Sequence, residues 1–212
     1  MVAAASAYHR QVAAEKRASI LAAATRLFVG SGHAGTSLAA VAAEANVSKA
    51  TLFKQFPTKA ALFDAIVRDY WAAEDGAASQ PDTGDLRRGP ATIGHRYVAL
   101  LTRPGMADLF RTVMAELPRF PGFGQTHFDL GEQPFYDSVV RYLLAERSAG
   151  TAEVADVDIA ATEFLGMVSN HVLWPEMLLL DWARTPESTV RTVEEAALTM
   201  HARYGASRDA RP

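Results

Sequence analysis

Cysteine is absent from this chain of 212 residues, which excludes disulfide bonds, thiolate catalysis and cysteine-based zinc sites. Long apolar runs are missing as well. The longest uncharged apolar stretch, residues 164–175, contains a serine, an asparagine and a histidine, so it is too short and too polar to span a bilayer. Residues 1–17 carry charges where a signal peptide has its apolar centre. We therefore expect a soluble cytoplasmic protein without a membrane segment.

Patterns of β-structure and of catalysis are also missing. No segment alternates apolar and polar residues for long enough to predict a β-strand. The sequence has no G-x-S-x-G, no H-E-x-x-H and no phosphate-binding loop. Gly30, Gly32 and Gly35 match G-x-G-x-x-G, but they follow a helical pattern and not a strand, so we interpret them as a loop between helices. The sequence predicts an all-α protein that is not an enzyme and has no cofactor and no metal site.

Charge is distributed unevenly along the chain. Residues 1–60 contain seven Lys or Arg and two Glu, a balance of +5, whereas the remainder carries −8, for a net charge of −3. A basic first part on an acidic remainder indicates that the first third binds a polyanion.

Residues 36–59, TSLAAVAAEANVSKATLFKQFPTK, have the pattern of two short helices. Thr36 and Ser37 stand at the N-cap position of the first helix, and Ser48 stands at that of the second. Between them, Asn46 tolerates the left-handed conformation of a tight turn. Apolar residues recur at helical spacing in both runs, at Leu38, Val41, Ala42 and Ala45, then at Leu52 and Phe56. Two short helices joined by a three-residue turn are typical of a helix-turn-helix.

The second of these helices has an unusual outer face. Leu52 and Phe56 are four residues apart and are expected to face the preceding helix. The residues left outside are Lys49, Ala50, Phe53 and Lys54. An exposed phenylalanine between lysines suits a surface that contacts phosphates and base edges. An ordinary amphipathic helix pair with surface lysines is the alternative.

Residues 24–63, with the pattern AxxLFxxxGxxGTSLxxVAxxAxVSKxTLFKxFPxKxxLF, resemble the DNA-binding domain of the tetracycline-repressor (TetR) family. Three positions depart from the family pattern. Asn46 stands where glycine is usual, Phe53 where tyrosine is common, and Ala61 where a glutamate often completes a capping box. Phe53 therefore lacks the hydroxyl that would bond a phosphate.

The resemblance implies a DNA-binding surface. It assigns Lys49 to bases or phosphate, Thr51 and Phe53 to phosphate or a thymine methyl group, and Lys59 to a phosphate. The full candidate set is Thr36, Ser37, Ser48, Lys49, Ala50, Thr51, Phe53, Lys54 and Lys59. For the lysines, a solvated helix face is the alternative.

The rest of the chain continues with helical periodicity, and the sequence predicts about nine helices in all. Kinks are expected near Gly131 and Pro134 and at Pro175. Two segments, FRTVMAELPRFPGFGQTHFDLGEQPFYDSVVRYLLAERSAG and DIAATEFLGMV, are similar to the AefR-like regulatory domain of one TetR branch. We therefore expect a helix-turn-helix domain over residues 1–65 and a ligand-sensing and dimerisation domain over residues 66–212.

A ligand pocket is mostly apolar with a few placed polar groups. Aromatic residues, methionines and isolated polar residues of this region fit such a pocket, although the same residues could be ordinary core. The candidates are Phe110, Met114, Phe123, His127, Tyr136, Met167, Asn170, His171 and Trp174. They predict a small, largely apolar ligand.

The last two helices carry two apolar stripes, which predict a two-fold dimer through a four-helix contact. The residues expected there are Leu165, Val168, Val172, Leu178, Val190, Val193, Ala197 and Leu198. Together with the resemblance, this implies a homodimeric repressor on a palindromic operator, released by a small-molecule ligand. A DNA-binding architectural protein without a ligand is the alternative.

Overall fold

The computed structural model describes residues 2–72, 80–179 and 181–206. Within these ranges the only β-structure is an isolated bridge between Ala152 and Gly205, so the predicted all-α fold class is confirmed. In the same ranges, every helix lacks either the length or the apolarity that crossing a membrane requires. The helices are α1 Val2–Gly35, α2 Leu38–Glu44, α3 Lys49–Gln55, α4 Lys59–Ala72, α5 Arg88–Leu101, α6 Met106–Glu116, α7 Pro121–His127, α8 Gln133–Ser148, α9 Val157–Val172, α10 Trp174–Leu178 and α11 Pro186–Tyr204, with a π-helix at Phe128–Glu132.

The described residues thus form eleven α-helices where about nine were expected, because two regions predicted as kinked helices are divided. The π-helix lies at the kink predicted near Gly131, and Pro134 occupies the first turn of α8. Pro175 likewise occupies the first turn of α10. Proline is tolerated there because the first N–H groups of a helix have no intrahelical acceptor. The glycines predicted as a loop between helices lie within the assigned range of α1, whose backbone leaves helical geometry at Gly32, with φ 68° and ψ 168°. The predicted interruption therefore occurs, as a kink at a single residue.

The chain packs as two compact units. Within the described ranges, the first comprises residues 2–72 and 108–127, and the second comprises residues 80–107 and 128–206. The predicted functional division after residue 65 is not tested by this packing and stays a prediction.

The core of the first unit centres on Phe63 of α4. Its ring packs edge-on against Phe28 of α1, with 5.4 Å between ring centroids, and lies 4.5 Å from the ring of Phe123 on α7. On the same helix, Asp64 accepts a hydrogen bond from the Thr126 hydroxyl at 2.9 Å. Helix α4 is therefore held to α1 by an apolar contact and to α7 by both an apolar and a polar contact.

The helix-turn-helix forms as its local signals predict. The Ser37 hydroxyl accepts from the Ala40 N–H and begins α2, and the Ser48 hydroxyl accepts from the Thr51 N–H and begins α3, each at 3.1 Å. Asn46 adopts the left-handed conformation with φ 52°. Leu52 is fully buried, so α3 packs by the face that the sequence predicted.

The second unit is built from α5, α8, α9 and α11, which pack against one another. Five of the eight residues expected at a dimer contact are buried inside this unit: Leu165, Val168, Val172, Val193 and Ala197. That assignment was wrong in detail, because these side chains fill the core of one protomer. Leu178 and Val190 do lie on the surface, at 72% and 50% exposure.

A buried carboxylate fixes the segment before α5 in the second unit. Glu146 accepts hydrogen bonds from the Gly84 N–H at 2.7 Å and from the hydroxyls of Tyr142 and Thr151. A buried charge is tolerated when its oxygens are satisfied in this way. Gly89 has no room for a side chain, because a Cβ atom there would lie 2.0 Å from the Tyr142 ring. The polar network and the close approach together hold residues 84–89 on α8.

Candidate nucleic-acid interface and ligand-binding region

Helix α3 presents an outer face of four residues. Lys49, Ala50, Phe53 and Lys54 are all exposed, as predicted. Exposure of the Phe53 side chain reaches 48%, whereas its neighbour Leu52 is completely buried. The outer face therefore combines two cations with an apolar surface, a combination that suits phosphates and base edges in a DNA groove.

The hydroxyls at the start of α3 are already engaged with one another. The Thr51 hydroxyl lies 2.8 Å from that of Ser48, which also caps the helix. Ser37 is exposed and has the same capping role in α2. These hydroxyls could still accept or donate a further hydrogen bond, but the ones described here already stabilise the N-termini of α2 and α3.

Thr36 and Lys59 are placed differently from the other candidates. The Thr36 side chain is buried, and its hydroxyl lies 3.0 Å from the Leu27 carbonyl and 2.9 Å from that of Gly32. The Lys59 ammonium donates to the Thr36 carbonyl at 2.9 Å, which ties the start of α4 to the start of α2. The Thr36 side chain is therefore a structural group below the surface and is not placed to contact a phosphate. Lys59 already makes an internal hydrogen bond, and a phosphate contact would be a second interaction of its ammonium group.

Arg17 of α1 also lies beside α3 and was not among the sequence candidates. Its guanidinium carbon is 4.7 Å from the centre of the ring of Phe56, the residue that caps the C-terminus of α3. A guanidinium over an aromatic face is a cation–π contact. No local sequence pattern predicts this pair, because the rest of α1 and all of α2 and α3 lie between the two residues.

Four of the candidates for ligand binding lie in the first unit, and two of them are in contact. The His127 ring meets the Phe110 ring edge-on, with 4.1 Å between centroids, and meets Trp71 in the same manner at 4.7 Å. Phe123 belongs to the core around Phe63, and Met114 is exposed. Trp71 was not predicted, and it completes the aromatic surroundings of the histidine.

The tautomer of His127 follows from its hydrogen bonds. The Trp71 indole N–H donates to Nδ1 at 3.2 Å, so Nδ1 is the unprotonated nitrogen and Nε2 carries the hydrogen in the neutral ring. That N–H is buried and has no hydrogen-bond partner among the described residues. Burial lowers the pKa of His127 to about 4, because a protonated ring removed from water loses the solvation that stabilises its charge. The ring is therefore neutral, with one N–H donor that no described residue accepts.

The other five candidates lie in the second unit and do not form one site. Met167 and His171 line a surface cleft of about 430 Å³ between α9 and α11. The Tyr136 hydroxyl donates to Asp158 at 2.6 Å, and this hydrogen bond, with the nearby carboxylates, raises the pKa of Tyr136 to about 12. Asn170 and Trp174 are exposed.

A polar pair inside the second unit was also missed by the sequence candidates. The buried Tyr97 hydroxyl donates to Glu132 at 2.6 Å, at the last residue of the π-helix. Burial and the carboxylate raise the pKa of Tyr97. In the described ranges, no three His, Asp or Glu side chains are grouped as metal ligands would be.

The depressed pKa of His127 predicts a specific loss of stability in acid. The pKa of His127 is about 4 in the folded protein and 6.5, the ordinary value, in the unfolded chain. Between these two pH values the unfolded chain binds a proton that the folded protein does not, so the free energy of unfolding decreases as the pH is lowered. At pH 5 this residue should cost about 2 kcal/mol relative to neutral pH. His127→Gln does not titrate, and its amide oxygen can still accept from Trp71. Urea unfolding at both pH values should show the smaller acid loss in the variant; equal losses would contradict the neutral buried ring.

Comparison with known proteins agrees with this arrangement. The model of bacterial regulatory proteins of the tetR family matches residues 20–66, and that of the AefR-like transcriptional repressor C-terminal domain matches residues 91–206. Among curated proteins, none matches the chain.

Solved structures share the fold over nearly the whole chain. A TetR-family regulator from Mesorhizobium loti has 24% identity and a TM-score of 0.80, with 92% of this chain and 98% of that one covered. A TetR family regulator from Pseudomonas syringae pv. tomato has 25% identity and a TM-score of 0.72, with 91% and 97% covered. A flavonoid-responsive regulator has 25% identity and a TM-score of 0.70, with 90% and 97% covered. The chain therefore belongs to the TetR family of DNA-binding transcriptional regulators, a family of regulators and not of enzymes, and its C-terminal domain is of the AefR-like type.

Proposed function

We propose that this protein is a homodimeric repressor that binds a palindromic operator through α3 and leaves it when a small-molecule ligand binds. The observation that carries the proposal is the outer face of α3, where two lysines flank a half-exposed phenylalanine on a helix held in place by the buried Leu52. A repressor acts where the chromosome is, so the proposal includes a cytoplasmic location.

The chemistry of the α3 surface supports contact with double-stranded DNA. Lys49 at the start of the helix and Lys54 near its end offer ammonium groups to phosphates on either side of a groove. The net charge of +5 over residues 1–60 favours the same partner. An α-helix fits the major groove of B-DNA, where base edges can be distinguished.

Exposed apolar side chains near the last two helices support the dimer. Most of the residues first expected at that contact are buried, but another set remains on the surface around α10 and the start of α11: Trp174, Leu178, Leu179, Trp182 and Val190. These side chains are close in sequence, and exposed large apolar side chains commonly mark an interface. A two-fold contact through this set, the α10–α11 patch, would place two copies of α3 in one assembly.

The environment of His127 supports a ligand site in the first unit. Among the described residues its buried Nε2–H has no acceptor, and its neighbours there include the rings of Trp71 and Phe110. An unsatisfied buried donor costs about 1–3 kcal/mol, which an oxygen acceptor on a ligand would recover. Aromatic walls favour a planar, largely apolar molecule. A phenolic or carbonyl-bearing aromatic compound has this chemistry, and the flavonoid-responsive regulator of the same fold supports that class.

The location of this region also supports coupling to DNA binding. Residues 108–127 belong to the same packing unit as the helix-turn-helix. A ligand that displaced α7 would disturb the Phe63–Phe123 contact and the Asp64–Thr126 hydrogen bond, both of which hold α4. Allosteric coupling of about 1–3 kcal/mol, or roughly 5–150-fold in operator affinity, is typical.

Salt-dependent binding of operator DNA tests the surface directly. Lys49→Ala should reduce the slope of log affinity against log salt by about 0.9 for each phosphate that the lysine neutralises, and a symmetric dimer carries this lysine twice. Lys59→Ala should do the same if it contacts phosphate, and it should also lower the melting temperature because it removes the hydrogen bond to Thr36. Leu52→Ala is the control for folding, with an expected loss of about 2–5 kcal/mol in stability.

If both lysine variants bind operator and random DNA like the parent at every salt concentration, α3 does not contact DNA. The lysines would then be ordinary solvated residues.

The α10–α11 patch predicts the oligomeric state. Sedimentation at micromolar concentration should show a dimer, and Val190→Lys should shift it toward monomer because a buried ammonium disrupts an apolar contact. Leu144→Lys is the matched control, since Leu144 is also an exposed apolar residue of the second unit but lies on α8. A parent protein that sediments only as monomer, or equal effects of the two variants, would refute the interface.

Ligand release can be tested with planar phenolic compounds, including flavonoids, added to the protein–operator complex. A compound that binds at His127 should dissociate the complex and raise the melting temperature of the free protein by mass action. His127→Phe should weaken the response, because the variant keeps an aromatic ring but has no N–H donor. A panel without effect on either measurement would count against this ligand class while leaving operator binding intact.

A further inference from the structure

We infer that the N-terminal part of α1, residues 2–19, is a second DNA-contacting element, whose exposed cations bind backbone phosphates beside each half-site of the operator. The inference rests on the proposed function, because it requires that α3 place the protein on DNA. It goes beyond that function by assigning a role to a segment that precedes residue 20, where the match to the tetR family begins.

Residues 2–19 form a helix that is exposed along its described length. They are continuous with the remainder of α1, which begins at the fully buried Ile20. Tyr8 is 66% exposed, and in residues 11–19 every side chain is exposed except the half-buried Val12. At 1.5 Å per residue, these 18 residues extend over about 27 Å. Burial within the described part of the chain therefore does not explain why this segment is present as a helix.

The composition of the segment explains its helical structure. Alanine, the strongest helix former, occupies seven of its 18 positions. The helix is already nucleated from Ile20 onward, so the residues before it extend an existing helix and carry no separate nucleation cost. The segment is therefore helical by its own sequence, and its many small side chains let the axis of the helix approach a partner closely.

Two contacts fix the end of this segment beside the helix-turn-helix. The Ser19 hydroxyl donates to the carbonyl of Ala45, the C-cap of α2, at 3.1 Å. The Arg17 guanidinium carbon lies 4.7 Å from the centre of the ring of Phe56, the C-cap of α3, and Arg17 remains exposed. The exposed cations at the end of the segment therefore lie next to the helix that we assign to the major groove.

The chemistry of the segment favours DNA over a second protein chain or a membrane. Positions 2–19 carry three Lys or Arg and one Glu, a balance of +2. A coiled coil with a second copy would need large apolar residues at every a and d position, and a membrane surface would need them along one face. Residues 11–19 contain one apolar residue larger than alanine, Val12. Phosphates require cations on an accessible surface, which is what this segment has.

The substitution Lys16→Gln tests the contact, because Lys16 is exposed and its neighbour Arg17 keeps the contact with Phe56. The full-length protein first selects its operator from a pool of random duplexes, and affinities are then measured over a range of salt. The slope of log affinity against log salt should fall by about 0.9 for each phosphate that the lysine neutralises, for operator and for random DNA alike. The ratio of the two affinities should stay constant, because phosphates carry no sequence information.

Two further variants serve as controls. Arg87→Gln removes the same charge from an exposed arginine of the second unit, and it should leave the salt slope unchanged. Single phosphates of the operator are also replaced by neutral methylphosphonates. At the phosphate that Lys16 neutralises, this replacement should weaken binding of the parent but not of Lys16→Gln, whereas Lys49→Gln should keep the penalty.

Each outcome decides between hypotheses. An unchanged salt slope in Lys16→Gln, or an equal reduction in Arg87→Gln, would overturn the inference. A lower melting temperature of Lys16→Gln without a change of slope would also overturn it, because the lysine would then have a structural role. In all three cases the proposed function stands, since the parent still binds its operator. If the parent selects no duplex, the proposed function itself fails.

Discussion

Burial of Leu52 and Phe56 is the interaction on which the DNA-binding surface depends. Helix α3 has seven residues, and an isolated helix shorter than about 12 residues is marginal in water. It exists because its inner face is removed from water and because Ser48 caps its first turn. Folding of α3 therefore restricts the residue types on its inner face and at its N-cap. The residues of the outer face are not restricted in this way and can be chosen for recognition. Phe53 lies on that outer face with 48% of its side chain exposed.

Local signals account for what the sequence predicts well. The caps at Ser37 and Ser48, the left-handed Asn46 and the buried Leu52 each follow from the chemistry of one residue and its close neighbours. Apolar periodicity likewise predicts that α9 and α11 each bury a face. It does not distinguish a face buried within one protomer from a face buried between two. Val168 and Val193 were assigned to a dimer for that reason, although both lie in the core of the second unit.

Long-range contacts are the part that the sequence could not supply. Trp71 and His127 are 56 positions apart, and neither residue has a local pattern that would reveal the hydrogen bond between them. Similarly, a lysine at position 59 has the same sequence pattern whether its ammonium faces a phosphate or the Thr36 carbonyl. The candidate residues for ligand binding were chosen by composition, so they divide between core, surface and the His127 cluster. Their chemical types were informative, but their mutual positions required the fold.

Helix α4 connects the core beside the helix-turn-helix with the aromatic cluster around His127, the proposed ligand site. Phe63 and Trp71 are eight residues apart on this helix, about 12 Å along its axis. Phe63 contacts α1 and α7 in the core that supports the helix-turn-helix, and Trp71 contacts His127. Because a helix transmits displacement along its length, a change at His127 need not unfold anything to reach Phe63. A coupling of about 1–3 kcal/mol is small compared with the cost of removing a buried aromatic ring, so a shift of packing is sufficient. If the proposed ligand binds there, the Nε2–H of His127 would supply the differential interaction that such a shift requires, because this buried N–H has no hydrogen-bond partner among the described residues.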